Sequence, residues 1–576
     1  MTDIAQVVAL SGAAATALGI TVPGLISSLH ALQQDDYSNR RFGRWLAETP
    51  VARLIHAPVA LIYLVGAGLQ LDLPLPLVAP TLASVAAIGA TLLAPRPAPR
   101  KKPLVYTGRA RRLLAVSAAL TVALFVAGFV AVAALAGGLD SASGAATARA
   151  PGLAILLMAV VSIHAAPFVA MAANLVLVPV QASINRTYRL KARRKLARFK
   201  PMVVGITGSY GKTSTKYFAE ALMESRFRVL KTRASFNTLL GVCRVVNEEL
   251  GPEHEVLIVE MGAYRRGEIR DMARFVRPTI GVLTAIGPQH LERFGSIETI
   301  EKAKFELLEA LPDGGTAVVN NDDPRVRRLA DDLAGGSGRG PRGGSADESA
   351  DGLAGRNHGP QVRRYGMDVS AGELDLAAEE VRHGPDGLSF TLVERGGART
   401  PVKTRLIGLH NVSNILASAL VARTAGSSMR EIAGAIGRLQ PVPHRLETHT
   451  GPDGVTIVDD AYNSNPIGAA NALDTLNEFD TGRKILVTPG MVELGAEQDA
   501  RNQEFGVKAA AVCDFVILVG PNQTAAIRRG LESAGFAAER ITSARNLTDG
   551  LAAMRGIVRA GDVVLFENDL PDLYEE

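Results

Sequence analysis

The chain has 576 residues, with 62 lysines and arginines against 57 aspartates and glutamates, and only two cysteines. That length allows about three or four domains, and the widely separated Cys243 and Cys513 exclude a disulfide framework or a thiolate metal cluster. The net charge of +5 does not point to nucleic acid, because the arginines concentrate beside apolar stretches, where membrane topology accounts for them.

Up to about residue 180 the chain is rich in Ala, Leu and Val. Ile4 to Leu29 carries no charge, is long enough to cross a bilayer, and lacks the basic start and cleavage site of a signal peptide. Four further apolar stretches follow: Pro58 to Leu69 (the shortest), Pro76 to Leu93, Leu113 to Leu139 and Leu153 to Pro179. The loops between them alternate in charge. Arg40, Arg41, Arg44 and Arg53 lie in the first; Arg96, Arg100, Lys101, Lys102, Arg109, Arg111 and Arg112 lie in the third. A basic segment, Arg186-Thr-Tyr-Arg-Leu-Lys-Ala-Arg-Arg-Lys195, follows the last span, whereas the second and fourth loops hold only Arg149. The positive-inside rule then predicts an external N-terminus and a cytoplasmic chain from residue 181 onward, in the plasma (inner) membrane. His164 is the one notable polar residue within a span, as a functional group or, more simply, as a hydrogen bond between helices. Tyr37, Phe42 and Trp45 beside the arginines read as an interfacial anchor.

From residue 200 strands and helices alternate, which predicts mostly parallel sheets covered by helices. The first strand leads into Val203-Val-Gly-Ile-Thr-Gly-Ser-Tyr-Gly-Lys-Thr-Ser214. Glycines at 205, 208 and 211 let a turn wrap an anion, with the amides of Gly208, Ser209, Tyr210 and Gly211 and a helix N-terminus facing phosphates. Lys212 supplies a point charge, and Thr213, followed by Ser214, offers a hydroxyl to Mg2+. Val256-Leu-Ile-Val-Glu260 is a buried strand ending in an acid, the place where nucleotide-binding α/β proteins hold Mg2+; taken alone, such a Glu is as often simply solvated. Ile280 to Ile286 is another strand, leading to His290, which by itself reads as a loop or packing histidine. Lys302 and Lys304, among Glu298, Glu301 and Glu306, read as a solvated helix face. A Gly/Ser/Asp-rich stretch at about 335–360 is expected to be a disordered insertion. Residues 361–407 read as short strands, and Val455 to Val458, Lys484 to Val487, Phe515 to Val519 and Asp562 to Phe566 as strands of a second α/β domain.

Eight motifs occur in order: Gly205-x-Thr-Gly-x-x-Gly-Lys-Thr213, Val259-Glu-Met-Gly262, Ile286-Gly-Pro-Gln-His-Leu291, Ala303-Lys304, Asn320-Asn-Asp-Asp-Pro324, Gly408-Leu-His-Asn-Val-Ser-Asn414, Pro443-His-Arg445 and Val458-Asp-Asp-Ala-Tyr-Asn-Ser-Asn-Pro466. Over residues 200–576 this resembles the Mur ligases, ATP-dependent amide-bond-forming enzymes of peptidoglycan precursor synthesis. Within them, Asp460-Ala-Tyr-Asn-Ser-Asn-Pro466 and Glu493-Leu-Gly495 are most similar to the MurF-like, D-alanyl-D-alanine-adding branch. The apolar stretches and their arginines predict an α-helical membrane domain (1–180) and a basic cytoplasmic tether (181–200), and the resemblance implies two α/β domains, a central P-loop ATPase domain (201–440) and a C-terminal Rossmann-like domain (441–576). It implies ATP and Mg2+ as cofactors. Lys212 and the loop would hold phosphates, Thr213 and Glu260 one Mg2+, and His290 a second together with a carbamylated Lys304. Asn320, His410, Asn411 and Asn414 would line the nucleotide, Arg445 and Asp460 would close over it, and Asn237 would touch substrate.

Three departures stand out. Membrane spans occupy the place of the uridine-nucleotide-gripping domain. The stretch that reads Asp-Met-x-Glu-Leu-Gly in the family reads Pro489-Gly-Met-Val-Glu-Leu-Gly495 here, and a terminal Lys-Gly-Ser is replaced by Glu567-Asn-Asp569. The expectation is therefore a membrane-anchored ligase joining a small-molecule or lipid-linked carboxylate to an amine acceptor. The enzyme alternative is the UDP-N-acetylmuramoyl-tripeptide–D-alanyl-D-alanine ligase activity itself. The rival of another class is a non-catalytic or transport ATPase, against which the lack of paired broken helices and of a charged path counts.

Overall fold

The computed structural model describes residues 21–22, 24–34, 37–48, 104–137, 150–233, 236–335, 359–462 and 464–568. The chain divides into two compact units, residues 1–186 and 187–576.

The described part of the first unit is helical, with helices Asn39–Glu48 and Gly108–Gly137 and the greater part of Ala150–Phe199. Small side chains allow close helix packing: Ala110, Ala170 and Ala173 are buried with Leu29, Leu32, Phe42 and Leu113. Asn174 Nδ2 donates to the Tyr37 carbonyl (2.8 Å) and to Asn39 Oδ1 (2.7 Å), and Asn39 Nδ2 donates to the Met171 carbonyl (3.0 Å). The expected anchor is corrected at Phe42, which is fully buried and stacked on Trp45, because it closes this small core. Tyr37 lies under the Arg109 guanidinium. Among the described residues two helices are long and apolar enough to cross a membrane, Gly108–Gly128 and Ala165–Phe199. The expected spans Pro58 to Leu69 and Pro76 to Leu93, most of Ile4 to Leu29 and the His164 side chain lie outside the described residues.

In the second unit the last turns of Ala150–Phe199 are fixed by packing. Ala192 is buried with Val242 and Val246. Lys195 Nζ donates to the carbonyls of Asn247 and Leu250, both at 2.9 Å, as a cation at the end of helix Leu239–Glu248 should. The expected tether is thus helical as far as Phe199.

The first sheet has nine strands. They are β1 Met202–Thr207, β2 Val229–Lys231, β3 Val256–Glu260, β4 Ile280–Leu283, β5 Thr316–Asn320, β6 Gln361–Gly366, β7 Leu376–Gly384, β8 Gly387–Glu394 and β9 Arg399–Thr404. Across the sheet the order is β2-β3-β1-β4-β5-β6-β7-β8-β9, parallel through β7 and antiparallel from β7 to β9. Every residue of β3, β4 and β5 is buried, as apolar runs between two helical layers must be. The chain places β2 and β3 on one side of β1 and β4 on the other. Such a switch opens a crevice at the carboxyl ends of β1 and β4, where parallel sheets bind ligands. Helix His410–Ala425, buried along most of its length, covers the phosphate-loop helix Lys212–Met223.

The second sheet has six strands: β10 Glu447–Thr450, β11 Thr456–Asp460, β12 Lys484–Thr488, β13 Phe515–Val519, β14 Ile541–Ala544 and β15 Val563–Glu567. Their order is β10-β11-β15-β12-β13-β14, with only β10 antiparallel. The expectation of two α/β domains after residue 200 holds. The expected insertion lies outside the described residues from 336 to 358.

Candidate active site

The turn after β1 is built on Gly208 (φ 150°) and Gly211 (φ 77°). A Cβ at Gly208 would lie 2.0 Å from Thr284 Oγ1, and one at Gly211 would lie 2.5 Å from Asn414 Oδ1, so only glycine fits. Ser209 Oγ accepts from the Gly287 N–H and donates to its carbonyl, each at 3.0 Å, while Thr284 Oγ1 donates to the Tyr210 carbonyl. These bonds clamp the loop against the end of β4 and leave it at the positive end of helix Lys212–Met223, a site that favours phosphate. Lys212 Nζ lies over the loop, donating to the carbonyls of Gly208 (2.7 Å) and Ser209 (2.9 Å). Burial presses its pKa down to about 8, with Glu260 opposing the shift and Arg445 adding to it. Tyr210 is held against the Gly287 backbone, and burial pushes its phenol well above the ordinary value.

β3 pairs with β1 so that Glu260 lies opposite Ile206, which puts its carboxylate beneath the loop. Thr213 Oγ1 is 3.2 Å from each carboxylate oxygen. Lys216, one turn after Lys212, pairs with Glu260 Oε2 at 2.8 Å, and the two side chains are 0% and 3% exposed. A hydroxyl and a carboxylate side by side fit a hard divalent cation whose remaining ligands are phosphate oxygens and water. Among the described residues no three His, Cys, Asp or Glu gather into a self-sufficient metal cluster.

His290 follows β4 with a left-handed backbone (φ 56°). Its Nδ1 is hydrogen-bonded to Glu493, whose Oε1 accepts from Arg293 Nη2 at 3.1 Å. Tyr264 stands edge-on to the imidazole, with centroids 4.7 Å apart. Burial lowers the His290 pKa, and Glu493 resists. Lys304 is only 3% exposed, and burial, then the Lys212 charge, hold its pKa well below the usual ammonium range. Its Nζ makes no hydrogen bond or ion pair among the described residues and lies 5.8 Å from the Phe294 ring centre. Burial of this kind favours the uncharged amine, the form of lysine that adds CO2.

The solvated-face reading of this helix, Ile297–Glu309, is corrected. Glu306 is buried and accepts from the N–H groups of Gly267 (2.7 Å) and Arg270 (3.1 Å). Glu301 is buried and paired with Arg325 and Arg328. These acids tolerate burial because neighbouring helices supply their donors; Glu298 alone stays exposed.

The remaining candidates divide into two groups. Asn320 Nδ2 donates to the Thr284 carbonyl at 2.9 Å, so its amide braces the end of β4. Asn411 Nδ2 donates to the Ile407 carbonyl, and its Oδ1 accepts from Asn414, turning the Asn414 oxygen to Gly211. His410 is held neutral, its pKa lowered to about 4 by burial and by Arg445, and its buried Nδ1 has no partner among the described residues. Arg445 lies 4.5 Å above the Tyr462 ring. Asp460 accepts from the Leu446 N–H at 3.3 Å and sits opposite Glu567 in the β11–β15 register. Asn237 packs on Gly262, two residues past Glu260, and its carbonyl accepts the Gly262 N–H at 2.9 Å.

Lys216, Glu493 and Glu567 take part in this arrangement without a role having been assigned to them from sequence. Lys216 could have been found from its position on one helix face with the buried Ala219 and Met223. Glu567 ends an apolar strand just as Glu260 does. Glu493 meets His290 across 203 residues, and no local pattern announces such a contact.

Two family models match: the Mur ligase middle domain over residues 206–339 and the Mur ligase glutamate ligase domain over residues 444–567. The UDP-N-acetylmuramoyl-tripeptide–D-alanyl-D-alanine ligase of Mycobacterium tuberculosis is 34% identical over 386 residues, 63% of this chain and 69% of that protein. The Bacillus subtilis enzyme of that name is 27% identical, over 65% of this chain and 75% of its own. Among solved structures, a MurF ligase from Thermotoga maritima in complex with ADP is similar, with a TM-score of 0.55 and 26% identity, over 67% of this chain and 80% of its own. MurF from Acinetobacter baumannii shares the fold, with a TM-score of 0.57 over 68% of this chain and 78% of its own.

Proposed function

The chain belongs to the Mur ligase family, and on that premise we propose that it is a membrane-anchored ligase whose catalytic domains face the cytoplasm. As a family member close to the MurF-like ligases it is an ATP-dependent amide ligase of peptidoglycan synthesis and works with ATP and Mg2+. The domain division proposed is a membrane domain at 1–180, a basic segment at 181–200, an ATPase domain at 201–440 and a C-terminal domain at 441–576.

The chemistry joins a carboxylate to an amine in two displacements. A carboxylate oxygen bonds to the γ-phosphorus as the β–γ bridging P–O bond breaks, giving an acyl phosphate and ADP. The amine nitrogen then bonds to the acyl carbon, phosphate leaves, and the nitrogen loses a proton. Mg2+, when bound, neutralises phosphate charge and polarises the γ-phosphoryl group. Lys212 and the amides from Gly208 to Gly211 bind the phosphates, with Ser214 buried behind them. Thr213 and Glu260 hold the first ion, and His290 with a carbamylated Lys304 a second. Arg445 brings positive charge from the C-terminal domain, and Asp460 sets its surroundings. Asn237, next to Gly262, is placed to meet the carboxylate substrate. Nearly all of this is positioning and charge stabilisation.

One observation carries the membrane reading. Val122, Leu124, Val126, Val130, Phe168, Leu175, Val176 and Val178 are exposed on two long helices, and only 28% and 22% of their apolar windows are buried. A soluble core helix buries most of such a window, and an exterior of this kind fits lipid. The carboxylate substrate is then presented at the membrane on a lipid carrier, where confinement to one surface raises effective concentration. The test offers the purified protein in detergent the same muramoyl peptide on a lipid pyrophosphate and on UDP. Preference for the lipid form is expected. Equal or better use of the UDP form overturns it and establishes the soluble MurF reaction, which the similarity around Glu493-Leu-Gly495 favours.

A further inference from the structure

The contact between His290 and Glu493 joins the two α/β domains at the site where the proposed second metal would bind. Three observations single it out. Both residues have left-handed backbones without being glycine, φ 56° at His290 and φ 62° at Glu493, a conformation that persists only where surrounding structure imposes it. The contact is reinforced on the backbone, where the Glu292 N–H donates to the Glu493 carbonyl at 3.4 Å, and on the side chain, where Arg293 takes the second carboxylate oxygen. The bond is made to Nδ1, and an ionised carboxylate can only accept, so Nδ1 carries the proton and, in the neutral ring, Nε2 keeps its lone pair.

We infer that Glu493 is a positioning residue which fixes His290 in its metal-binding tautomer and makes second-metal occupancy depend on docking of the C-terminal domain. A carboxylate behind a ligating imidazole orients the ring and raises its basicity. Because this carboxylate belongs to the other domain, the ring is fully set only when the domains are together. The coupling is reciprocal: an ion held through His290 strengthens its hold on Glu493 and so favours the docked arrangement. Arg293, paired with the same carboxylate and packed over Tyr264 at 4.3 Å, fixes Glu493 without touching the imidazole.

This inference rests on the reading of His290 as a metal ligand, and the experiment separates the two. Full-length protein in detergent, saturated with ADP, is titrated with Mn2+ and free ion is followed by electron paramagnetic resonance. The parent should bind two ions. Glu493→Ala should weaken the second by about 10–100-fold and leave the Thr213–Glu260 site unchanged. Glu493→Gln, which keeps an acceptor for Nδ1–H, should lose less. Glu493→Ala added to His290→Ala should bring little further loss at the second site, since Glu493 acts there only through the imidazole. Two equally tight ions in Glu493→Ala, with the parent also binding two, overturn the inference alone. A single ion in the parent overturns the metal reading of His290 and the inference with it.

Discussion

Replacing Glu567 by Gln should stabilise the C-terminal domain, in a manner that depends on pH. Asp460 and Glu567 end adjacent parallel strands in register, so their carboxyls share one side of the sheet about 5 Å apart at the backbone. Glu567 is fully buried; Ser464 donates to its Oε1 at 2.6 Å, and its Oε2 has no donor among the described residues. Burial, then repulsion from Asp460, holds the Glu567 pKa well above the ordinary range. Burial lifts Asp460 from 3.8 to about 6, against the pull of Arg445. Between those two pH values the folded chain retains a proton that the unfolded chain has lost, so stability falls as pH rises through that window and stays lower above it. For Asp460 alone this costs up to ~3 kcal/mol at pH 7.5, an upper bound because its side chain keeps some solvent contact. An amide at 567 can donate to Asp460 and removes the repulsion. A glutamine cannot ionise, so Glu567→Gln removes the cost of deprotonating a buried carboxyl at this position and should raise the melting temperature by roughly a few degrees at pH 7.5. The gain should shrink as pH falls into the ordinary glutamate range, where the carboxyl at 567 is protonated in the unfolded chain as well. Calorimetry at pH 7.5 and at about pH 4.5 tests it. A gain that does not vary with pH, or a loss at pH 7.5, refutes the shared-proton account.

Three other outcomes follow from the site. Lys212→Met, which removes the charge lying over the loop at 2.7 Å from the Gly208 carbonyl, should lower kcat/KM for ATP by about 10²–10³-fold in steady-state phosphate release. Lys304→Ala should lose activity on the order of 10²-fold and recover part of it with short carboxylic acids, whereas Lys302→Ala should change little; full activity in unrescued Lys304→Ala would exclude a carbamate ligand. For topology, Ser143→Cys should be labelled by an impermeant thiol reagent from outside the cell and Leu104→Cys should not. The native background is quiet, because Cys243 and Cys513 are buried, with thiols pushed up by burial to about 11 and about 12.

What the sequence disclosed about this site was whatever sits close together in the chain. The phosphate loop compresses its glycines, lysine and threonine into nine residues, and Glu260 announces itself by ending an apolar run, so both were legible. Strands β12, β13 and β15 were legible for the same reason, while the edge strands β10 and β14 were not; Glu-Thr-His-Thr has no apolar residue to betray it. Lys216 was obscured by a sound rule, that helical lysines face water; it is broken because Glu260 waits on the neighbouring strand. The same rule failed for Glu301 and Glu306, whose donors come from other helices. Phe42 looked like a membrane anchor because arginines flank it, and only the packing of Leu29, Ala110 and Leu113 shows that it closes a core.

The placement of the matched residues bears on what the enzyme acts upon. Residues 206–339 and 444–567 contain the phosphate loop, Glu260, His290, Lys304, Arg445, Asp460 and Glu493. In the roles proposed for them these residues would activate a carboxylate and transfer it, whatever lies at the far end of the donor. Specificity for that far end has to come from other surfaces, since distant parts of a substrate are gripped where the chain can reach them. In this chain the surface preceding the catalytic unit is hydrocarbon, with Leu124, Val126 and Leu175 facing outward and arginines gathered beside it at 109, 111 and 112. Hydrocarbon contributes little to the recognition of a uridine, which asks for hydrogen bonds and ring stacking. It suits an acyl chain, and a basic rim suits the phosphates that join such a chain to a sugar. On the proposed membrane anchoring, that surface would also orient the donor, and its removal should raise KM for a lipid-linked donor far more than it changes KM for ATP.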